Sequence, residues 1–274
     1  MKEVSYYPGC SLHGTAREYD ESCRSVSDLL GIRLSELKDW NCCGASSAHC
    51  TDEDLAIALA GRNLDIANKD GRELLVPCVA CFSRLKKAAE KETGENAVPI
   101  RYALDFFSDE PVLEELKKKL IRPLSGLKVA CYYGCLSVRP PQLTGVKEYE
   151  NPQRMEKLMG ALGAEPLQWS YKTDCCGSSL MLARTDIVEK LTGRILSMVR
   201  ETEADCVVVG CPICQANLDT RQGKQVGATG DSPEIPVIYF TELMGLALGH
   251  RDVRKWLARH IVDPMKVLSA KGLL

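Results

Sequence analysis

Short apolar runs alternate with amphipathic stretches along this chain, and the alternation is written twice. Val4-Ser5-Tyr6-Tyr7-Pro8-Gly9-Cys10 matches Val129-Ala130-Cys131-Tyr132-Tyr133-Gly134-Cys135, each a β-rich run that ends on a Gly-Cys turn. Helical periodicity follows, over about Arg17 to Leu30 in the first copy and Gln153 to Leu162 in the second, stopped by Gly31 and Gly163 as helix C-termini often are. A second amphipathic helix runs from about Asp54 to Asn68, and its counterpart from about Asp186 to Val199. Glu73 to Val76 and Cys206 to Val209 then read as strands. Short continuous apolar runs of this kind suit strands covered on both faces, as in parallel sheets. Ala97 to Tyr102 and Ile235 to Phe240 supply a last strand in each half.

This strand–helix alternation predicts an α/β fold: two tandem duplicated α/β domains, each with a short, mainly parallel sheet flanked by helices and built around its own core. Ile121-Arg122-Pro123-Leu124-Ser125-Gly126 is a connector, so the domains are expected at 1–125 and 126–274. The last stretch, His250 to Leu274, adds a basic helix with Trp256 and Leu257 on its apolar side.

Composition narrows the functional classes. The 274 residues carry a formal net charge of -2, with a pI near 6.2. This lacks the basic footprint of a nucleic-acid binder. No apolar run approaches the roughly 18 residues of a membrane span, and the Met1-Lys2-Glu3-Val4 start lacks a signal-peptide core, so a cytoplasmic protein is expected. In a reducing compartment a cysteine-rich chain reads as metal-binding or catalytic before it reads as a disulfide scaffold.

Ten of the fourteen cysteines form two copies of one pattern: a single Cys, then Cys-Cys-Gly, then Cys-x-x-Cys. The copies are Cys10, Cys42, Cys43, Cys78, Cys81 and Cys135, Cys175, Cys176, Cys211, Cys214. From Cys42 onward they keep a constant offset of 133 positions. The leading cysteines differ by 125, which places eight extra residues in the second copy around Val138 to Val146. Thiolates select zinc, copper(I) or iron–sulfur clusters. Structural zinc normally takes two separated knuckles, and each copy has one. An adjacent Cys-Cys pair serves two different irons more naturally than one tetrahedral ion, because consecutive side chains diverge. Iron–sulfur is therefore preferred to zinc. With four cysteines for a standard cubane, the fifth is a spare thiol or a ligand of a larger, opened cluster.

With these motifs the chain resembles the B subunit of heterodisulfide reductase, whose paired cysteine-rich CCG domains have the same cysteine order. Tyr132-Tyr133-Gly134-Cys135, Asp174-Cys175-Cys176-Gly177 and the closing Val262-Asp263-Pro264-Met265 are similar as well. The resemblance covers the whole chain. It departs only in a slightly shorter loop before each Cys-x-x-Cys. It implies that the ten motif cysteines hold two noncubane [4Fe-4S] clusters with a disulfide substrate between them. The implied activity is reduction of a disulfide, such as the coenzyme M–coenzyme B heterodisulfide of methanogens, to two thiols, or the reverse. Implied partners are a ferredoxin-like iron–sulfur subunit, a flavoprotein, and a hydrogenase or formate dehydrogenase. The alternative is an electron-relay iron–sulfur subunit of another anaerobic oxidoreductase complex, with no disulfide substrate.

The remaining residues read more plainly. Cys23, Cys131 and Cys206 are expected in the core, where a free cysteine packs as a small hydrophobe. Cys50, with His13 and His49, lacks paired ligand spacing and reads as an inert thiol. His13 and Arg139 follow the leading cysteines by three and four residues and are candidate contacts for an anionic substrate group, or surface residues. His250 and His260 are expected to be satisfied by solvent or a helix terminus. Gly44 and Gly177 permit a turn or close approach to a cluster. No Gly-x-Gly-x-x-Gly or Walker A run is present, so flavin or nucleotide binding is unsupported. The run Glu114 to Lys119 reads as a solvated helix face.

Overall fold

A computed structural model of the protein describes residues 2–45, 48–91, 97–222 and 233–274. Among them are two four-stranded sheets of identical topology. The first contains β1 (Lys2–Tyr6), β2 (Ile32–Glu36), β3 (Leu74–Val76) and β4 (Ile100–Tyr102), in the order β2-β1-β3-β4. The second contains β5 (Lys128–Tyr132), β6 (Glu165–Pro166), β7 (Cys206–Val209) and β8 (Val237–Tyr239), in the order β6-β5-β7-β8. All pairings are parallel. The central strands β3 and β7 are buried throughout, which is why they read as unbroken apolar runs.

The expected α/β fold is present, and helices flank both sheets. The first helical stretch of each half is Arg17–Leu29 and Arg154–Ala161, and the second is Glu53–Asp70 and Thr185–Glu201. Asp52 caps the helix Glu53–Asp70 by accepting from the Leu55 N–H at 3.0 Å, and Gly71, at φ +68°, ends it in the left-handed region. Two strands were not anticipated, β2 and β6. Both are edge strands, and only Ile32-Arg33-Leu34-Ser35-Glu36 carries an alternating signal.

Separate cores are not what the structure holds. Buried apolar residues of both halves form one continuous cluster. The helix Arg17–Leu29 of the first half packs on Phe240–Ala247 of the second, with Tyr19 stacked on Tyr239 at 4.3 Å and the Ser22 and Thr241 hydroxyls 2.6 Å apart. The connector is drawn into the same interface. The N–H groups of Ile121 and Arg122 both donate to the Ala247 carbonyl, at 3.0 and 2.9 Å. The two halves are thus joined through a shared apolar core.

The C-terminal segment is not one basic helix. It forms two short helices, Val253–Leu257 and Met265–Ala270, interrupted around Pro264. Trp256 and Leu257 are buried as expected, and Trp256 lies against the bare backbone of Gly245. The Glu110–Lys119 helix buries Leu113 and Leu116 and leaves its charged face in water. Among the described residues no helix is long and apolar enough to cross a membrane.

Candidate metal-cluster site

Parallel sheets gather loops at the carboxyl ends of their strands, and the cysteine motifs occupy those loops. Cys10 follows β1 and lies on the short helix Gly9–His13, while Cys135 follows β5. Cys78 and Cys211 follow β3 and β7, and each Cys-x-x-Cys runs into the first turn of a helix, Val79–Lys91 and Pro212–Thr220. The Cys-Cys pairs arrive on loops from the edge strands. Both loops are tied down by equivalent tyrosines. Tyr7 Oη donates to the Asn41 carbonyl at 2.8 Å, and Tyr132 Oη donates to the Asp174 carbonyl at 2.7 Å, in each case one residue before the pair.

The five thiols of each half come together. Cys10 and Cys42 Sγ are 3.8 Å apart, Cys43 and Cys81 Sγ 3.2 Å, and Cys176 and Cys214 Sγ 3.5 Å. Cys135 and Cys175 interact in the same way as Cys10 and Cys42. Cys43, Cys78, Cys81, Cys176, Cys211 and Cys214 are buried, Cys135 is half-buried, and Cys10, Cys42 and Cys175 reach the surface. The contacts run on from thiol to thiol: Cys42 touches both Cys10 and Cys43, Cys81 both Cys43 and Cys78, and Cys214 both Cys176 and Cys211.

Thiols packed this closely share protons unevenly. Contact with Cys10 and Cys43 pulls Cys42 down to about 2, and contact with Cys135 pulls Cys175 down to about 6. Backbone N–H groups of Gly44, Gly177 and Ser178 help hold these thiolates. Their neighbours move the other way. Contact with Cys42 pushes Cys43 up to about 12, Cys42 and burial raise Cys10, and Cys135 is raised by Cys175 and burial. Full deprotonation of either cradle would crowd five negative charges into a partly buried space, which soft cations would offset.

Two glycines that the sequence reading passed over make room inside the cradles. Gly9, at φ +72°, would place a Cβ 2.9 Å from Cys81 Sγ, and Gly134, at φ +66°, would place one 3.0 Å from Cys214 Sγ. A side chain there would press on the Cys81 or Cys214 sulfur, and the bare backbone leaves room beside these thiols. Their signal was present as the repeated Gly-Cys step. Of the two roles expected of Gly44 and Gly177, a turn or close approach to a cluster, the turn is the one seen. They turn the backbone at φ +75° and +79°, but a Cβ on them would strike Ala48 and Leu59, or Val188 and Leu191. A third missed residue is Asn217, whose amide donates to the Cys176 carbonyl at 3.1 Å and to Cys176 Sγ at 3.7 Å. The first half has Arg84 at the equivalent position, so the repeat carried no signal for it.

The two cradles face one another. The thiols of Cys78 and Cys211 interact across the interface, and Cys211 is the largest influence holding the Cys78 thiol up to about 12. A narrow cavity of about 10 Å³ lies beside them, lined by Val79 and Ala80 of the first half and by Cys135, Leu136, Cys211 and Ile213 of the second, among others. A much larger cavity of about 390 Å³ lies away from the thiols, on the extra loop of the second half near Lys147 and Gln153.

Neither proposed substrate contact points freely into this cleft. His13 Nε2 pairs with Glu36 at 3.1 Å and its ring packs edge-on against Trp40, while Arg139 pairs with Glu150 at 2.9 Å and donates to the Thr173 carbonyl at 3.2 Å. Cys23, Cys131 and Cys206 are buried in the core as expected. Cys50 is exposed on the helix Ala48–Thr51, and the side chain of His49 lies outside the described residues. His250 stacks on Trp256 and accepts from the Asp252 N–H at 3.2 Å. His260 departs from expectation: it is buried, with Nε2 at 2.9 Å from Glu242 and Nδ1 at 3.1 Å from Gln215. Its position under the domain interface, not its place in a basic segment, decides its partner.

The cysteine-rich domain family, CCG, matches residues 4–86 and 129–219. The 8-methylmenaquinol:fumarate reductase membrane anchor subunit of Wolinella succinogenes is 33% identical over 97% of this chain and 99% of its own length. The B subunit of a ferredoxin/F(420)H(2)-dependent CoB-CoM heterodisulfide reductase of Methanosarcina acetivorans is 27% identical over 98% of this chain and 97% of its own. A protein of Archaeoglobus profundus, described as like the B subunit of heterodisulfide reductase, is 25% identical over 91% of both. Among solved structures, a hypothetical protein from Helicobacter pylori superposes with a TM-score of 0.73 at 10% identity, covering 95% of this chain. This chain spans 52% of that protein, and the likeness concerns the fold alone.

Proposed function

The chain belongs to the cysteine-rich CCG family that includes the B subunit of heterodisulfide reductase, and on that footing we propose that it is an iron–sulfur oxidoreductase subunit that works on a disulfide between two clusters. Cys10, Cys42, Cys43, Cys78 and Cys81 would hold one cluster, and Cys135, Cys175, Cys176, Cys211 and Cys214 the other, each a noncubane [4Fe-4S] centre. The observation that carries the reading is the confrontation of Cys78 with Cys211, which sets two five-thiol cradles on one cleft. Such clusters, when bound, would supply electrons one at a time to a reaction that needs two.

The chain's own residues do the rest. Tyr7 and Tyr132 anchor the loops of the Cys-Cys pairs, and Gly9 and Gly134 keep the cradle open. Val79, Ala80, Leu136 and Ile213 give the cleft apolar walls that exclude water from the reacting sulfurs. His13 and Arg139 keep their role as candidate substrate contacts only if substrate displaces Glu36 or Glu150. Electrons would arrive from another subunit of the same complex, a ferredoxin-like iron–sulfur protein, with a flavoprotein and a hydrogenase or formate dehydrogenase further upstream.

A second reading has its own support. The Wolinella succinogenes relative belongs by name to a quinol:fumarate reductase. The two clusters here would then relay electrons within such a complex, with no disulfide substrate. Anaerobic purification with iron, sulfide and zinc analysis tests what both share, and about eight irons per chain are expected. Adding small thiols to the oxidised protein separates the two. Direct binding perturbs the spectra of both clusters, whereas a relay leaves them unchanged and its clusters are reduced by a menaquinol.

A further inference from the structure

Pro77 and Gly210 occupy equivalent positions, each immediately before the first cysteine of its Cys-x-x-Cys turn. Their carbonyls meet a pair of tyrosines from the first half. Tyr19 Oη lies 3.2 Å from the Pro77 carbonyl and 2.9 Å from the Gly210 carbonyl, and Tyr102 Oη donates to the Gly210 carbonyl at 2.8 Å. Both tyrosines are buried. Two hydroxyl protons thus serve two carbonyls: with Tyr102 on Gly210, Tyr19 is released to hold Pro77, and its proton is shared between the halves.

The arrangement is not symmetric. Tyr239 ends β8 as Tyr102 ends β4, and it stacks on Tyr19. Yet the Tyr239 hydroxyl is buried with no hydrogen-bond partner among the described residues. Gly210 fits the same picture, since a Cβ there would collide with the Tyr102 hydroxyl. Three tyrosines therefore meet at the interface, but only two of their hydroxyls clasp the cysteine turns.

We infer that Tyr19 and Tyr102 are positioning residues that fix the two Cys-x-x-Cys turns to each other, and so set the separation and electronic coupling of the two cluster sites. The inference rests on the reading that both cradles hold iron–sulfur clusters. Their hydroxyls touch neither thiols nor substrate. They act through the backbone of Pro77-Cys78 and Gly210-Cys211. Removing them lets the turns drift apart while every cysteine ligand is retained.

The test uses the full chain purified anaerobically, with Tyr19→Phe, Tyr102→Phe, the double variant and Tyr239→Phe. Iron and sulfide are measured per chain, and paramagnetic resonance follows the magnetic interaction between the two clusters. The expected result is full iron content in all four variants, a weakened interaction in each clasp variant and its loss in the double variant. Tyr239→Phe removes the unpartnered hydroxyl from the same stack and should leave the interaction unchanged. An equal effect in Tyr239→Phe would make the role one of packing and overturn the inference, as would an unchanged interaction in the double variant. Clusters present without any interaction in the unaltered protein would overturn it too. If the double variant does not fold, Gly210→Ala, which displaces the Tyr102 hydroxyl and keeps the ring, must give the same weakening. Absence of iron–sulfur from the unaltered protein would instead defeat the cluster reading itself.

Discussion

Tyr132 Oη donates to the Asp174 carbonyl at 2.7 Å, and this one bond fastens the Cys175-Cys176 loop to the end of β5. Tyr7 does the same for Cys42-Cys43 through Asn41. Tyr132→Phe should cost about 1 kcal/mol of stability, the net worth of such a bond. Its larger effect should be on iron retention in the second cradle alone. Urea unfolding combined with iron analysis checks both, and equal loss from the two cradles would contradict a local tether.

Cys42→Ala should leave about half the iron and sulfide bound, since each cradle has its own five thiols. Cys42 is exposed, so the continuous core keeps both halves folded. Circular dichroism should be unchanged. Loss of all iron would show a single shared site.

Gly134→Ala and Gly9→Ala should each empty one cradle. The new Cβ would meet Cys214 Sγ at 3.0 Å or Cys81 Sγ at 2.9 Å, at a backbone φ that costs a non-glycine residue about 1–2 kcal/mol. Gly71→Ala, also at positive φ but with nothing within 4 Å, carries the backbone cost without the obstruction. It should lower the melting temperature and keep its iron.

His260 should make stability fall at alkaline pH. Burial disfavours its charge, but the Glu242 carboxylate, helped by Asp219 and Glu18, outweighs burial and raises the imidazole from 6.5 to about 9. The folded pKa lies above the unfolded one, so the contribution is complete below 6.5 and is lost as pH rises through 9. A shift of this size corresponds to about 3 kcal/mol. Urea unfolding at pH 6 and pH 9.5, on the protein and on His260→Gln, isolates the effect. The variant should lose most stability at pH 6 and converge on the parent at pH 9.5.

The duplicated register of the cysteines and the strand–helix alternation were legible from the sequence, because a parallel sheet writes buried strands as short apolar runs and places its chemistry at their carboxyl ends. Local signals also marked the Gly-Cys steps, the helix stops at Gly31 and Gly163, and the buried Cys23, Cys131 and Cys206. The tertiary structure alone decided how the copies meet. Periodicity reports which face of an element is apolar, not which element covers it, so two cores were expected where Arg17–Leu29 and Phe240–Ala247 make one. For the same reason His260 was expected to be satisfied by solvent or a helix terminus. Its partner Glu242 is distant in sequence and only the fold buries the pair. Tyr19 sits on the helix Arg17–Leu29 with no motif to single it out. Its hydroxyl acquires a role only because the domain interface brings the Pro77 and Gly210 carbonyls to the same point, a juxtaposition that no spacing along the chain encodes.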